Sequence, residues 1–455
     1  MHAVAFVTIS RGSAWGAIAA GVSIWAATEG EARAGAFEVL GFGPTGVAEV
    51  NARAARADDG TATFYNPGGL AFGHGASIEI APTLGISALA AQGRAIGLED
   101  PFGLAVALAV TVPFEGALKD RIRLGFGGYL LPGGLLHLVA RPGETPFYPY
   151  YDNRTQRLVV VPTLAVKITD RLGIGLGVNV LGGVSGPATV QPGASGAVES
   201  RLSLEATTRA SVHAGARFDL AKHARVAFAF RQRFAAPARV TTTAEIAGIP
   251  LAVSVGTESA LFDPAALVLA SSFEVGPAAF EIDATWSLWS AYEGPFAGVR
   301  ASLPGLDIAS KLPASIARDV VSLRAAASYR IAIGAGAEVV VHAGAGAEPS
   351  MLKGQAQGRE NLLDGDKILG GLGASLALHD VLSVRTIRVG VGLGTQVVLA
   401  TSQAKRACAT LPCPADTVAG PDATHPSVGI ANPGFPRLDG GGAFWSGSLG
   451  IGVDL

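Results

Sequence analysis

The chain has 455 residues, with 61 Gly and 26 Pro, and its residues are 49% apolar but only 15% charged. Its 34 Lys+Arg nearly balance 36 Asp+Glu, for a net charge of −2, which excludes a nucleic-acid binder by bulk electrostatics and a disordered chain by apolar content. After the N-terminal region no run of 18 or more apolar residues occurs, so few charges without spanning helices point to a membrane β-barrel.

Residues 1–34 read as an export signal. Arg11 precedes an apolar stretch from Ala14 to Thr28, and Ala32-Arg33-Ala34 supplies the small-x-small cleavage pattern. Glu29 and Glu31 before the cut depart from that pattern, and a retained amphipathic helix is the alternative. Residues 35–75 are rich in Gly, Ala and charge and do not alternate. They cannot face lipid as irregular backbone, so they lie in the periplasm or fold inside the lumen as a plug. Gly41-Phe42-Gly43-Pro44-Thr45-Gly46 imitates a dinucleotide-binding loop. No strand precedes it and Pro44 interrupts it, so that reading is set aside.

From residue 76 the pattern has period two. Leu104, Val106, Leu108, Val110 and Val112 alternate with Ala105, Ala107, Ala109 and Thr111. Leu172, Ile174, Leu176, Val178 and Val180 alternate with Gly173, Gly175, Gly177 and Asn179. Phe280, Ile282, Ala284, Trp286 and Leu288 alternate with Glu281, Asp283, Thr285 and Ser287, and the last segment sets Leu449, Ile451 and Val453 against Gly450, Gly452 and Asp454. One face is large and branched, the other small or polar, which suits a barrel with lipid outside. Strands are expected at 76–92, 102–116, 121–132, 156–168, 171–186, 199–219, 224–243, 264–275, 278–292, 317–332, 337–349, 367–379, 382–400 and 442–455. Tight turns alternate with long loops between these fourteen, as in outer-membrane barrels, and both barrel ends fall on the short-turn side.

Gly125, Gly127 and Gly128 in the third strand mark a candidate kink, against simple Gly enrichment. Phe147, Tyr148, Tyr150 and Tyr151 fall in an outer loop, as an apolar landing patch or an interfacial girdle. Arg231 and Arg233 share a face with Ala227 and Ala229 and should point inward, as candidate anchors for a carboxylate. Arg121, Arg123, Lys167, Arg209, Arg217, Arg324 and Arg388 are further candidates, and a lumen salt-bridge network with Glu205, Glu281 and Asp283 is the alternative use for all of them. Cys408 and Cys413, the two cysteines, sit in a polar loop and pair as a disulfide if the protein is exported; free thiols are the alternative. The eight His show no metal spacing, and no Gly-x-Ser-x-Gly elbow occurs. A triad assembled from distant strands, with His342 a candidate member, stays open.

Gly35-Ala36-Phe37, Gly41-Phe42-Gly43, and above all Ala57-Asp58-Asp59-Gly60-Thr61-Ala62-Thr63-Phe64-Tyr65-Asn66-Pro67-Gly68-Gly69-Leu70-Ala71 resemble the FadL/TodX family of outer-membrane transporters of long-chain fatty acids and aromatic hydrocarbons. Asp283-Ala284-Thr285-Trp286-Ser287-Leu288-Trp289-Ser290 and Asp364-Gly365-Asp366 fit the same family. Two departures stand out: Gly68 follows Asn66-Pro67 where the family has Ala, and Leu455 ends the chain where an aromatic is common. The resemblance implies an all-β, 14-stranded antiparallel transmembrane barrel (76–455) with an N-terminal hatch (35–75) in its lumen, turning at Asn66, Pro67 and Gly68. It also implies a lateral opening near the third strand. The expected function is passive uptake of long-chain fatty acids or other hydrophobic small molecules across the outer membrane of a Gram-negative cell. An aromatic-hydrocarbon channel, a general porin or a lipid-acting barrel enzyme are the alternatives. The expected partners are that ligand and the lipid and lipopolysaccharide around a monomeric barrel; no cofactor, metal or enzymatic activity is expected.

Overall fold

The computed structural model describes residues 35–455 except 97, 99–100, 133–145, 153, 156, 193–197, 203–204, 247–248, 295–297, 304–305, 310–315, 335, 354–355, 358–360, 382–383 and 407–435. The expected signal segment 1–34 and the Cys408–Cys413 disulfide lie outside the described residues. Fourteen strands close into a ring: β1 Ala76–Ala91, β2 Phe102–Thr111, β3 Ile122–Leu130, β4 Val159–Lys167, β5 Leu172–Pro192, β6 Glu205–Ala221 and β7 Ala224–Arg231, then β8 Ala265–Val275, β9 Ala278–Leu288, β10 Val320–Gly334, β11 Ala337–Glu348, β12 Lys367–Val381, β13 Val384–Arg406 and β14 Arg437–Asp454. Each pairs antiparallel with its neighbour in this order, and β14 returns to β1, Ile78 opposite Val453 and Ile86 opposite Trp445. Closure leaves no wall edge unpaired, which lipid demands of a strand-built wall. All fourteen expected strands appear.

The period-two pattern sorts the side chains as the sequence indicates. Ile80, Leu84, Ile86, Leu176, Leu269, Leu372, Leu393 and Ile451 point out and are exposed, whereas Ala81, Thr83, Ala107, Gly177 and Ala270 on the other face are buried. An exposed belt of branched side chains this extensive makes no sense in water and is what a hydrocarbon layer requires. The tight turn between β8 and β9 shows why short connections form: Val275 pairs with Ala278, leaving Gly276 and Pro277 as the two loop residues. Gly276 takes φ 58°, the left-handed value a two-residue hairpin turn needs at its first central position.

Two strand expectations need correction. The stretch 224–243 is not one strand: β7 ends at Arg231, and Phe234–Ile246 starts a separate hairpin with Ile249–Asp263. That hairpin pairs with the far end of β5 and with Gly298–Leu303, so a second sheet rises on the long-loop side. The stretch 199–219 likewise divides into Val198–Leu202, paired with the far end of β5, and β6. The polar run Arg231-Gln232-Arg233 interrupts the apolar–small alternation at that break, and the expected single strand spans it.

The expected kink at Gly125, Gly127 and Gly128 is not a break in the wall. β3 runs in unshifted register with β2 and β4. The nearby interruption is at Pro162, where the β4–β5 ladder skips Val161 and Pro162, because proline has no amide hydrogen to donate.

Residues 35–73 pack against the inward, lumen face of the wall. Helices α1 Gly35–Leu40, α2 Gly43–Ala48 and α3 Ala62–Tyr65 are short and nearly all buried. Phe37 stacks on Phe42 at 4.0 Å between centroids and meets Phe64 at 5.1 Å, a small core of its own. Polar residues of the segment are buried too, so it is held by hydrogen bonds and ion pairs as well as by apolar packing.

Candidate functional site

Several inward glycines of the wall admit the lumen segment, by its backbone or by its side chains. On one side, a Cβ at Gly125 would lie 2.6 Å from Thr63 Cγ2, and one at Gly173 2.5 Å from the Gly68 carbonyl oxygen. On the other, a Cβ at Gly344 would lie 2.6 Å from the Glu49 carbonyl carbon, while Gly371 and Gly392 face the backbone of Ala48 and Pro44. Gly-x-Gly runs in β5, β12 and β13 therefore mark where main chain meets main chain, the closest approach a protein allows.

Asn66, Pro67 and Gly68 form the tightest of these contacts. The Asn66 side chain is fully buried and bridges segment and wall. Its Nδ2 donates to the Ala54 carbonyl (2.9 Å) and to the Ala216 carbonyl of β6 (3.1 Å), while its Oδ1 accepts from the Gly68 amide (3.0 Å). Pro67 covers Gly175, and a Cβ on Gly68 would stand 2.6 Å from Ala216 Cα. A third-position Ala would thus press on β6, so Gly68 suits the close fit seen here. Asn51, at φ 66°, ties the segment to itself: Nδ2 donates to the Phe37 carbonyl at 3.0 Å, and Oδ1 accepts from Tyr65 Oη at 2.8 Å.

An ionic cluster fastens the middle of the segment. Glu49 is fully buried and accepts from Arg56 Nη2 (2.8 Å), Arg53 Nη1 (3.2 Å) and His342 Nδ1 (2.8 Å). Burial pushes its carboxyl up, but Arg56, the His342 hydrogen bond and Arg53 together hold it below the usual carboxylate range. Arg56 Nε reaches Glu281 Oε2 of β9 at 2.8 Å, and the amides of Ala55 and Ala54 donate to Glu281 (2.6 Å) and Asp283 (3.3 Å). At the short-turn end Arg123 holds the segment by main-chain carbonyls, Asp58 at 3.1 Å and Leu70 at 3.3 Å.

The cluster contains a Glu–His–Ser relay. His342 Nε2 lies 3.1 Å from Ser375 Oγ, while Nδ1 faces Glu49. Three features separate this from a working nucleophile. Glu49 is shared with two guanidinium groups, which weakens its support of an imidazolium. The backbone of β12 at Ser375 is in register with Val340 on one side and Gly390 on the other, so a preorganised oxyanion site is missing from the described surroundings. Glu49 also belongs to the lumen segment, so moving that segment aside to admit a substrate takes the relay apart.

A second cluster sits above α1 on the long-loop side. Phe147, Tyr148, Tyr150 and Tyr151 are buried there, neither a surface patch nor a girdle. Tyr148 Oη donates to the Ala90 carbonyl and accepts from the Gly441 amide, each at 2.7 Å; burial pushes its hydroxyl up to about 12, so it stays protonated. Tyr150 and Phe262 flank the buried Trp289, and Tyr151 stacks on Phe444 at 5.2 Å. Basic groups thread these rings. Arg154 lies 4.9 Å over Tyr150 and 5.2 Å over Trp289, and Lys367 lies 4.3 Å over Tyr150. Arg154 Nε meets Asp263 at 2.7 Å and its Nη2 bonds Glu38; Arg157 also bonds Asp263.

Arg231 does point inward, but it is engaged: Nη2 is 3.0 Å from Glu38 Oε1 and its guanidinium lies 4.9 Å over Phe64. Arg233 does not join it; it lies past the end of β7 and is exposed. Arg217 pairs with Asp219 (2.8 Å), Arg324 with Glu348 (3.3 Å) and Arg388 with Asp454 (2.8 Å), so these arginines serve the network reading. Sequence reasoning missed Glu38, Glu49, Arg154 and Arg157. The side chains of Glu205 and Arg209 lie outside the described residues. Among the described residues no group of three His, Cys, Asp or Glu is placed to hold a metal ion.

A crevice beside Glu38, Val47, Arg324 and Gln396 lies between the lumen segment and the wall and has room for one or two waters.

No protein-family model matches the chain, and no curated relative matches its sequence. Solved structures do match its fold. A Pseudomonas aeruginosa FadL homologue superposes with TM-score 0.58 at 13% identity, covering 91% of this chain and 98% of its own. The monoaromatic hydrocarbon channel CymD gives 0.51 at 14% identity, covering 93% and 99%. The P. putida toluene transporter TodX gives 0.51 at 10% identity, covering 94% and 99%. The chain is thus a closed 14-stranded antiparallel transmembrane β-barrel with the fold shared by FadL and TodX.

Proposed function

We propose that the protein is an outer-membrane channel for passive uptake of hydrophobic small molecules, gated by the lumen segment, with long-chain fatty acids as the preferred class. The observation that carries this reading is the packing of residues 35–73 against the inward face of the wall. An open porin needs a water-filled bore, whereas this barrel is packed with a segment of short helices fixed by discrete hydrogen bonds and ion pairs. These contacts are made by side chains, so exchanging them leaves the wall ladder whole. The rings of Tyr150, Trp289 and Phe262 beside Arg154 and Lys367 favour an amphiphile that has both a hydrocarbon tail and an anionic head. Each buried methylene adds about 0.8 kcal/mol, so a long chain needs only one polar anchor for useful affinity.

A second reading, a channel for aromatic hydrocarbons, is favoured by the fold shared with CymD and TodX, named as hydrocarbon and toluene channels. Purified barrel in detergent, titrated with a fluorescent fatty acid and competed with oleate or toluene, separates the two. Displacement by oleate alone supports the fatty-acid reading, and displacement by both supports a general hydrocarbon channel. Saturable binding of neither, with ion conductance in planar bilayers, refutes both in favour of a porin. Ester or phospholipid hydrolysis by the same preparation would favour an enzyme.

A further inference from the structure

The carboxylate that Arg231 holds in this structure belongs to the protein itself. Glu38 lies on α1, the first element of the lumen segment, and its carboxylate is gripped from two sides: Oε1 by Arg231 at 3.0 Å and Oε2 by Arg154. Arg154 comes from the loop before β4, and Arg231 ends β7. The side chains involved are 2% (Arg154), 12% (Arg231) and 16% (Glu38) exposed, so the ion pairs are largely desolvated. Apolar surface adjoins the head on both sides: Phe64 lies beneath Arg231, and Tyr150 and Trp289 beneath Arg154. This combination, a carboxylate in an arginine fork ringed by aromatic faces, is what recognition of an amphiphilic carboxylate requires.

We propose that Glu38 is an internal stand-in for the carboxylate of an amphiphilic ligand, and that the ligand displaces it from Arg231 and Arg154, freeing α1 from the wall. This rests on the transport reading above and adds how the ligand starts to move the segment. One carboxylate replaces another, so neither guanidinium is left buried without a partner at any completed stage, which is the costly alternative. Glu38 shares its helix with Phe37, whose ring stacks on Phe42 and meets Phe64 at a tilt, so releasing Glu38 loosens the anchoring of the segment's own core.

The test uses the full-length protein in detergent, with oleate and its neutral isostere methyl oleate as probes. In Glu38→Gln the internal competitor loses its charge, so oleate binding is expected to tighten about tenfold, the scale of one charge-assisted contact, with methyl oleate unchanged. Arg231→Gln is expected to weaken oleate and, combined with Glu38→Gln, to abolish the tightening that Glu38→Gln gives alone. Saturating oleate, but not methyl oleate, is expected to speed amide exchange across 35–42 in the wild type. Equal effects of Glu38→Gln on both probes, or unchanged oleate affinity with unchanged exchange, overturn the proposal. Saturable binding of methyl oleate but not oleate overturns the proposal alone; saturable binding of neither by a folded barrel overturns it together with the transport reading.

Discussion

Replacing Asn66 by alanine isolates the contact between the lumen segment and the wall. Asn66 makes three hydrogen bonds from full burial, to the Ala54 carbonyl, the Ala216 carbonyl and the Gly68 amide. Each is worth about 1 kcal/mol net, and the bond to Ala216 is the one that crosses to the wall, so Asn66→Ala should shift the seated-to-displaced equilibrium of the segment by about 1 kcal/mol, or about fivefold. The wall should not feel it, because its ladder is complete without Asn66; only the Ala216 carbonyl of β6 loses a side-chain donor. The assay is twofold: frequency of open events in planar bilayers, and amide exchange over residues 51–71. Both should rise severalfold while heat-modifiable mobility of the barrel in a detergent gel stays at the wild-type temperature. Asn66→Asp keeps the acceptor but turns a buried carboxylate oxygen onto the Ala54 and Ala216 carbonyls, and should unseat the segment at least as strongly as alanine. Wild-type conductance and exchange in a folded Asn66→Ala barrel would refute the idea that this contact holds the segment. A matching loss of wall stability would show that segment and wall are a single cooperative unit.

Three further outcomes follow from the same geometry. Gly175→Val puts branched carbons onto the Pro67 carbonyl and should unseat the turn and raise conductance, while Gly334→Ala, where nothing lies within 4 Å, should behave as wild type in the same recordings. Glu49 is held below the usual carboxylate range, so its contribution to seating is present above the unfolded pKa and is lost as pH falls through the lower folded value. Open probability should therefore climb on acidification below the ordinary carboxylate range, and Glu49→Gln should flatten that rise and raise the neutral-pH baseline. Ser375→Ala removes the hydroxyl facing His342; binding and conductance should change little and any trace esterase activity should persist, whereas loss of a measurable turnover would establish the relay as catalytic.

What could be read from the chain by itself was whatever is local. Period-two alternation is set by the pleat, so each of the fourteen strands is legible within about ten residues, as β2 and β9 show. The Asn66-Pro67-Gly68 turn is legible for the same reason, since its chemistry lies in three adjacent side chains. A break of the pattern inside an expected strand marks the end of an element, as in 224–243, where Arg231-Gln232-Arg233 closes β7. The function of the inward glycines, the inward packing of Tyr148 and Tyr150, and the partners of Arg231 were decided only in three dimensions. Gly392 needs Pro44 to explain it, Arg154 needs Glu38, and Glu49 needs His342, the last two pairs standing 116 and 293 positions apart in the chain. A charge on a small-residue face announces only that it points inward. Whether it awaits a ligand or already holds a partner depends on which distant segment closure of the barrel brings beside it, and here that segment carries Glu38.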